Sequence, residues 1–232
     1  MLWLVQLEDK PVAEAQDGRA GGVELRDMGL TLVLLSDTHS HHRVVVPPGD
    51  VLIHAGDITQ WGSLQDVAHF DRFMAAQSHR YKIVIAGNHD FCFQKCPEEA
   101  RRLLTHCTYL EDEALVVEGI RIYGSPWQPT FCNLAFNLPR GEKLRECWAR
   151  IPSDTELLVT HGPPQGHGDR THDGHSVGCA DLLARVRELR PRLHVFGHVH
   201  EGRGVSTEGG TTFVNASNPG PDQQPAIVFE WS

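Results

Sequence analysis

Five apolar runs in this chain each end on residues that can bind a metal ion or move a proton. "LTLVLL" (30–35) runs into Asp37-x-His39, and "DVLIHA" (50–55) into Gly56-Asp57. "KIVIA" (82–86) runs into Gly87-Asn88-His89-Asp90, "ELLVT" (156–160) into His161, and "LHVF" (193–196) into Gly197-His198-x-His200. With His89 set aside, Asp37, His39, Asp57, Asn88, His161, His198 and His200 make seven oxygen or imidazole donors. If the Asp57 carboxylate bridges, they serve two divalent ions with four protein contacts each and leave positions open for water and substrate. Imidazole mixed with carboxylate and amide suits manganese, iron, zinc, nickel or similar ions rather than a structural thiolate site. Taken singly, Asp37 or Asp57 reads as a turn acid and Asn88 as a turn amide. Taken together, so many polar groups gathered inside a protein are costly without a partner.

The runs that carry these donors are 4–6 residues long, rich in β-branched residues and bounded by Gly, Pro or Asp, which predicts buried strands. Where the chain leaves a strand, residues i and i+2 can point the same way, so one turn delivers two donors. Helical patterns fall between the strands. Ser63 caps a helix over 64–79, Pro97 opens one over 98–106, and others run near 141–150 and 179–190, the last stopping before Pro191. "ALVVEGIRIYGS" (114–125) reads as a hairpin turning at Glu118-Gly119, and "TTFVNAS" and "AIVFEW" add strands. This traffic implies α/β layers, two sheets with helices outside. In open α/β sheets ligands gather at the carboxyl ends of the strands, where all these donors fall. Residues 162–178, "GPPQGHGDRTHDGHSVG", must be a loop, either mobile surface or the wall of a site.

The 232 residues suffice for one large, well-filled domain. A formal charge of −9 gives no basic field for a long polyanion, so long nucleic acid is not an expected partner. Six cysteines without a C-x-x-C pair read as reduced thiols, which suits the cytoplasm. The opening "MLWLVQLEDKP" lacks a basic leading region and is interrupted by Glu8 and Asp9, so a secretion signal is not expected, and no run approaches a membrane span. Histidine is plentiful, at 15 residues, which makes its placement informative.

The order D-x-H, GD, GNH[D/E], a later lone His and G-H-x-H resembles the calcineurin-like metallophosphoesterase superfamily. "SDTHSHH", "HAGDIT", "GSPWQPTF", "LAFNLPRG", "THGPPQGHGD", "VGCADLL", "HVFGHVHEGRG" and "FVNAS" are similar to its metallophosphoesterase-domain-containing (MPPED-like) branch, which is related to the class III cyclic nucleotide phosphodiesterases. The resemblance covers about residues 30–230. It leaves 1–29 as an N-terminal extension of unassigned role before a metallophosphoesterase domain at 30–232. It implies a four-layer αββα sandwich, two mixed sheets flanked by helices, with two metal ions. By the same resemblance Asp37, His39, Asp57 and His200 hold one ion, Asp57, Asn88, His161 and His198 hold the other, and His89 is catalytic. Some members of the branch carry glycine in place of the first G-H-x-H histidine and are feeble enzymes; this chain keeps His198.

The expected reaction is in-line attack on phosphorus by a hydroxide bridging the ions, with His89 assisting the leaving group and Asp90 orienting and charging that ring. Two carboxylates and two divalent ions leave the pocket net positive inside an acidic protein. Phosphoprotein phosphatases of the superfamily carry an arginine in a GD-x-x-D-R-G run; here the run is "GDITQWG", with Trp61 at that position. Without the clamp, and with Trp61, Trp127 and Phe131 as possible stacking surfaces, a small phosphodiester is favoured over a monoester. The branch points to 2′,3′- or 3′,5′-cyclic nucleotides. Arg170 and His41 are candidate substrate contacts, against exposed-loop roles for both and wall packing for the two tryptophans. The alternatives are a nucleotide- or metal-binding scaffold of low turnover, and a phosphomonoesterase or nuclease. No membrane association is expected, and the oligomeric state stays open.

Overall fold

The structure, a computed structural model, describes residues 4–5 and 29–232. The extension expected at 1–29 therefore lies almost wholly outside the described residues. Its one described element, β1 (Leu4–Val5), pairs parallel to a strand near the far end of the chain.

The first half of the fold runs β2 (Leu30–Leu35), β3 (Val51–His54), α1 (Leu64–Ala75), β4 (Tyr81–Val84), α2 (Phe91–Lys95), α3 (Pro97–Leu103) and β5 (Thr108–Tyr109). The second half begins with the hairpin β6 (Glu113–Val117) and β7 (Ile120–Ser125), then the short pair β8 (Gln128–Pro129) and β9 (Asn137–Leu138). It continues with α4 (Glu142–Ala149), β10 (Leu157–Thr160), α5 (Ala180–Leu189), β11 (Leu193–Phe196), β12 (Gly204–Glu208), β13 (Thr211–Asn215) and β14 (Ile227–Trp231). One sheet has the order β1-β14-β2-β3-β4-β5 and the other β12-β13-β11-β10-β7-β6. Both are mixed. β2 to β5 are parallel with β14 antiparallel to β2, while β7, β10, β11 and β13 are parallel with antiparallel β6 and β12 at the edges.

The alternation of side chains makes four layers from these two sheets. Leu32 and Leu34 of β2 join Ile53, Ile122, Val159 and Val195 in a core between the sheets. Val33 and Leu35, one residue out of phase, face the other way and pack with Val67, Phe70 and Met74 of α1. On the far side, Leu158, Phe196 and Phe213 pack with Trp148 of α4 and Leu182 and Val186 of α5. Burial on both faces is why these strands read as continuous apolar runs. Each fully buried leucine or isoleucine contributes roughly 1.5–3 kcal/mol.

Local chemistry sets the boundaries. The Ser63 side chain accepts from the Asp66 amide at 3.0 Å, capping α1, which ends at Ala75 rather than at the expected 79. Arg190 takes a left-handed φ of 55° and stops α5 ahead of Pro191. Glu118 and Gly119, with φ of 47° and 87°, form the tight turn of the expected hairpin. Unforeseen are β5, β8, β9, β12 and the separate short helix α2. "GVSTE" of β12 is only half buried, so it lacks the apolar signal of the inner strands.

Candidate metal centre

Every donor singled out from the sequence follows the carboxyl end of a parallel strand: Asp37 and His39 after β2, Asp57 after β3, Asn88 after β4, His161 after β10, and His198 and His200 after β11. Both sheets thus feed one edge of the sandwich. Ligating atoms of Asp37, His39 and His200 lie within 4.8 Å of one another, as do those of Asp37, Asp57 and His161, and those of His39, Asp57 and His89. His39 Nε2 is 3.3 Å from His200 Nε2 and 3.8 Å from Asp57 Oδ2. His161 Nε2 is 3.4 Å from Asp57 Oδ2 and 2.7 Å from Asn88 Oδ1. His198 is outside these groups. Its ring centroid is 5.2 Å from that of His161, and its amide donates to both Asp37 oxygens at 3.1 and 3.0 Å.

The donors converge by a device the spacing does not suggest. Asp37, His39, Asp57 and His198 all have left-handed φ, of 56°, 44°, 54° and 70°. For residues with a Cβ this costs of order 1–3 kcal/mol each and clusters at functional sites. The expectation that extended i, i+2 geometry would aim Asp37 and His39 together is corrected: two adjoining left-handed turns do it. Hydrogen bonds hold those turns side by side, from the Asp37 amide to Gly56 O at 2.9 Å, from His39 to Asp57 O at 3.0 Å and from Ser40 to Ile58 O at 3.1 Å. Close packing completes the arrangement. A Cβ at Gly197 would land on the Asp37 carboxylate, and one at Gly87 on the Asp57 carboxylate.

Charge tests whether metal ions fit. Asp37 and Asp57 are buried, and among the described residues their ion-pair partners are all imidazoles, never lysine or arginine. Burial pushes the His161 ring down, but the Asp57 and Asp37 carboxylates outweigh it and raise the ring to about 9. Burial likewise pushes Asp37 up, and its hydrogen bond to His200 and the nearby imidazoles reverse the shift and hold it low. His198 is driven to about 4 by burial, then by His161, and so offers a neutral lone pair. Two buried anions whose charge partners among the described residues are imidazoles, groups that become ligands on giving up a proton, suit a pair of cations, and Asp57 belongs to two of the three groups.

His89 sits at the rim. Its amide donates to Asp57 Oδ1 at 2.7 Å, its ring centroid lies 4.7 Å from that of His39, and its Nδ1 is 2.7 Å from Gln60 O. A carbonyl only accepts, so Nδ1 carries hydrogen and Nε2 is left for chemistry. Asp90 does not orient this ring, contrary to expectation. Its carboxylate, fully buried, instead accepts from the amides of Ile58, Thr59 and Gly87 at 3.2, 2.9 and 2.8 Å and from the Thr59 hydroxyl at 2.8 Å. Pinned to the backbone in this way, it locks the turn bearing Asp57 to the turn bearing Asn88.

The proposed substrate contacts divide. Trp61 is 64% exposed, with its ring centroid 5.0 Å from that of His89. Trp127 is wall, not platform: its indole donates to Asp112 at 2.9 Å and its ring packs edge-on against Phe136. His41 is exposed, with its amide on Thr38 O and its carbonyl held by Gln223. Arg170 is exposed and pairs through its backbone with Ser176; it does not itself line the cavities that flank His198 and His200, although the next residue, Thr171, lines the one beside His198. The loop around it is a built wall. Asp169 accepts from Ser176 and from the Gly178 amide, and His167 stacks on Phe213 with centroids 3.8 Å apart. Sequence reasoning missed Arg140, which lines the cavity beside His198. Only its position after the "AFNLP" segment could have drawn notice.

Comparison with known proteins agrees with this architecture. Residues 30–202 match the calcineurin-like phosphoesterase family. The chain is 45% identical over 226 residues to human metallophosphoesterase domain-containing protein 1, covering 84% of this chain and 69% of that one. It is 41% identical over 203 residues to a UPF0046 protein of Caenorhabditis elegans, covering 81% and 69% respectively. A solved structure only 16% identical superposes with a TM-score of 0.64 over 82% of this chain and 91% of the other, a likeness of fold. Two sheets, one edge of carboxylate and imidazole donors, and these matches together mean that the chain belongs to the calcineurin-like phosphoesterase family, among its metallophosphoesterase-domain-containing members.

Proposed function

We propose that the chain is a two-metal phosphodiesterase acting on small phosphodiesters, with cyclic nucleotides the first substrates to test, and that residues 30–232 carry the activity. Asp37, His39, Asp57 and His200 would hold one ion, and Asp57, Asn88, His161 and His198 the other. When bound, such ions supply Lewis acidity toward phosphoryl oxygens and make a water acidic enough to attack near neutral pH. The chain's own part is positional. Asp90 fixes the Asp57 and Asn88 turns relative to each other, and the Gln60 carbonyl keeps the His89 proton on Nδ1. His89 Nε2 then serves the leaving-group oxygen, donating a proton from the imidazolium form.

The observation that carries the diester reading is that, among the described residues, the guanidiniums lining the cavities beside the cluster are already held by the main chain. Arg140 and Arg203 line the cavities beside His198 and His200, and both turn their guanidinium to main-chain carbonyls: Gly178 and Val177 for one, Ala216, Ser217 and Pro225 for the other. A dianionic monoester gains most from a free two-pronged arginine; a monoanionic diester depends on it less. Turnover of bis-p-nitrophenyl phosphate and p-nitrophenyl phosphate by manganese-loaded protein tests this. The diester should be the faster by kcat/KM, and a faster monoester would overturn the reading; a panel of 2′,3′- and 3′,5′-cyclic nucleotides then narrows the substrate. Six unpaired cysteines support a reducing, cytoplasmic setting. Among the described residues no helix is long and apolar enough to cross a membrane.

A further inference from the structure

Beside His198 lies a cleft of 320 Å³ whose two walls come from segments distant in sequence. Phe131 and Arg140 belong to the wall around β8 and β9; Pro163 and Val177 belong to the loop between β10 and α5; His198 and Glu201 form the floor. Both walls are fixed. The Asn137 side chain accepts from the Phe131 amide at 3.2 Å and donates to Phe131 O and Cys132 O at 3.2 and 3.1 Å, so the turn bearing Phe131 is pinned. Arg140 then joins the walls, donating to Gly178 O at 2.8 Å and Val177 O at 2.5 Å.

Within this rigid frame Phe131 stays 53% exposed, its ring edge-on to His198 with centroids 5.5 Å apart. A single exposed apolar side chain needs no explanation, but this ring lines the cleft beside His198 on a hydrogen-bonded turn, which gives the cleft a fixed flat face. Charge restricts that ligand. Arg140 is occupied by carbonyls, whereas Glu201 brings a carboxylate to the floor, touched by the His172 amide at 3.3 Å. A second phosphate or carboxylate would meet repulsion there, while a hydrogen-bond donor would be welcomed. The volume, near the lower end for ligand pockets, admits one flat ring system and little more.

We propose that this cleft is the specificity subsite of the centre, taking the flat, uncharged organic substituent of the phosphoester with its ring against Phe131. The proposal rests on the reading of the centre as a phosphodiesterase and adds which substituent it selects. Two measurements keep the readings apart. In turnover, Phe131→Ala lowers kcat/KM about tenfold for bis-p-nitrophenyl phosphate, mainly through KM, and less than twofold for methyl p-nitrophenyl phosphate, which keeps the leaving group but has no second ring. Equal losses on both esters, or none on either, overturn the subsite. In binding, calorimetric titration of metal-loaded protein with diphenyl and dimethyl phosphate reads the cleft without turnover. Diphenyl phosphate should bind about tenfold tighter to the unaltered chain, and Phe131→Ala should erase the difference. Equal affinities in the unaltered chain overturn the subsite. Binding that discriminates while no ester is hydrolysed overturns the phosphodiesterase reading and leaves the cleft standing. Because Phe131 is half exposed, the variant should melt within a few degrees of the parent, which a thermal scan checks.

Discussion

His161 and His194 are both fully buried, one just past the end of β10 and the other inside its neighbour β11, yet their rings are driven in opposite directions. His194, inside β11, has its Nε2 2.8 Å from the Thr160 hydroxyl and an unpartnered Nδ1, and burial pushes it to about 3. His161, one residue past the end of β10, is raised to about 9 by the Asp57 and Asp37 carboxylates despite the same burial. His54, in β3, repeats the His194 pattern: a Thr38 hydroxyl at 3.0 Å, an unpartnered Nδ1, and a ring pushed to about 3. Burial alone makes a silent histidine. What separates His161 from these two rings is direct contact with a carboxylate, its Nε2 lying 3.4 Å from Asp57 Oδ2.

The largest expected effect breaks that distinction directly. Asp57→Asn or His161→Ala should reduce diesterase turnover by roughly 100-fold or more with loss of bound metal, since ligand changes exceed the 10–100-fold typical of their supporting partners. His194→Phe, equally buried, should keep metal content and stay within a few-fold in rate. Metal analysis by mass spectrometry beside initial rates reads both. A His194 variant that loses metal as completely as the His161 variant would erase the contrast between the two regions.

His89 sharpens the comparison because its fixed partner is the neutral Gln60 carbonyl rather than a carboxylate. His89→Ala should leave both ions in place and lower turnover about 100-fold, within the range for general acid catalysis, with the deficit growing as the leaving group becomes less acidic. Rates across a series of aryl and alkyl esters measure this. A deficit independent of the leaving group, or a fall in metal content, would remove His89 from that role.

Much of this was legible because a polar residue directly after an apolar run is a strong signal. "LTLVLL" and "LHVF" are strands over the very residues expected, and the donors follow them. Ser63, Pro97 and Glu118-Gly119 marked boundaries because their chemistry is local. What escaped depends on tertiary contact. Asp and His tolerate a left-handed φ better than most residues, but nothing local told Asp37, His39, Asp57 and His198 apart from the other Asp and His of the chain. Asp90 lies next to His89 in sequence, which suggested a pair, but its carboxylate points at three backbone amides. Trp127 looked like an available aromatic until Asp112, just before β6 at the open end of the hairpin, claimed its indole. The Phe131 cleft needs two segments some thirty residues apart, joined by Arg140, and no local pattern encodes that meeting.

The smallest expected effect concerns stability in acid. His54 and His194 fold as neutral rings near 3, against 6.5 for the free side chain. Below 6.5 the unfolded chain takes up protons that the folded chain refuses, so stability falls as pH drops from 6.5 toward about 3 and is fully present above 6.5. At pH 5 the loss is about 2 kcal/mol for each ring. His194→Phe removes one such group and leaves the Thr160 hydroxyl its bond to Gly162 O at 2.9 Å. Urea unfolding of parent and variant at pH 7 and pH 5 should therefore show the variant losing about 2 kcal/mol less over that interval. The donors of the candidate centre titrate in both proteins and cancel in the difference. If the two proteins lost stability in parallel, His194 would not be a ring held neutral by burial, and the contrast with His161 would have to rest on something other than the carboxylates.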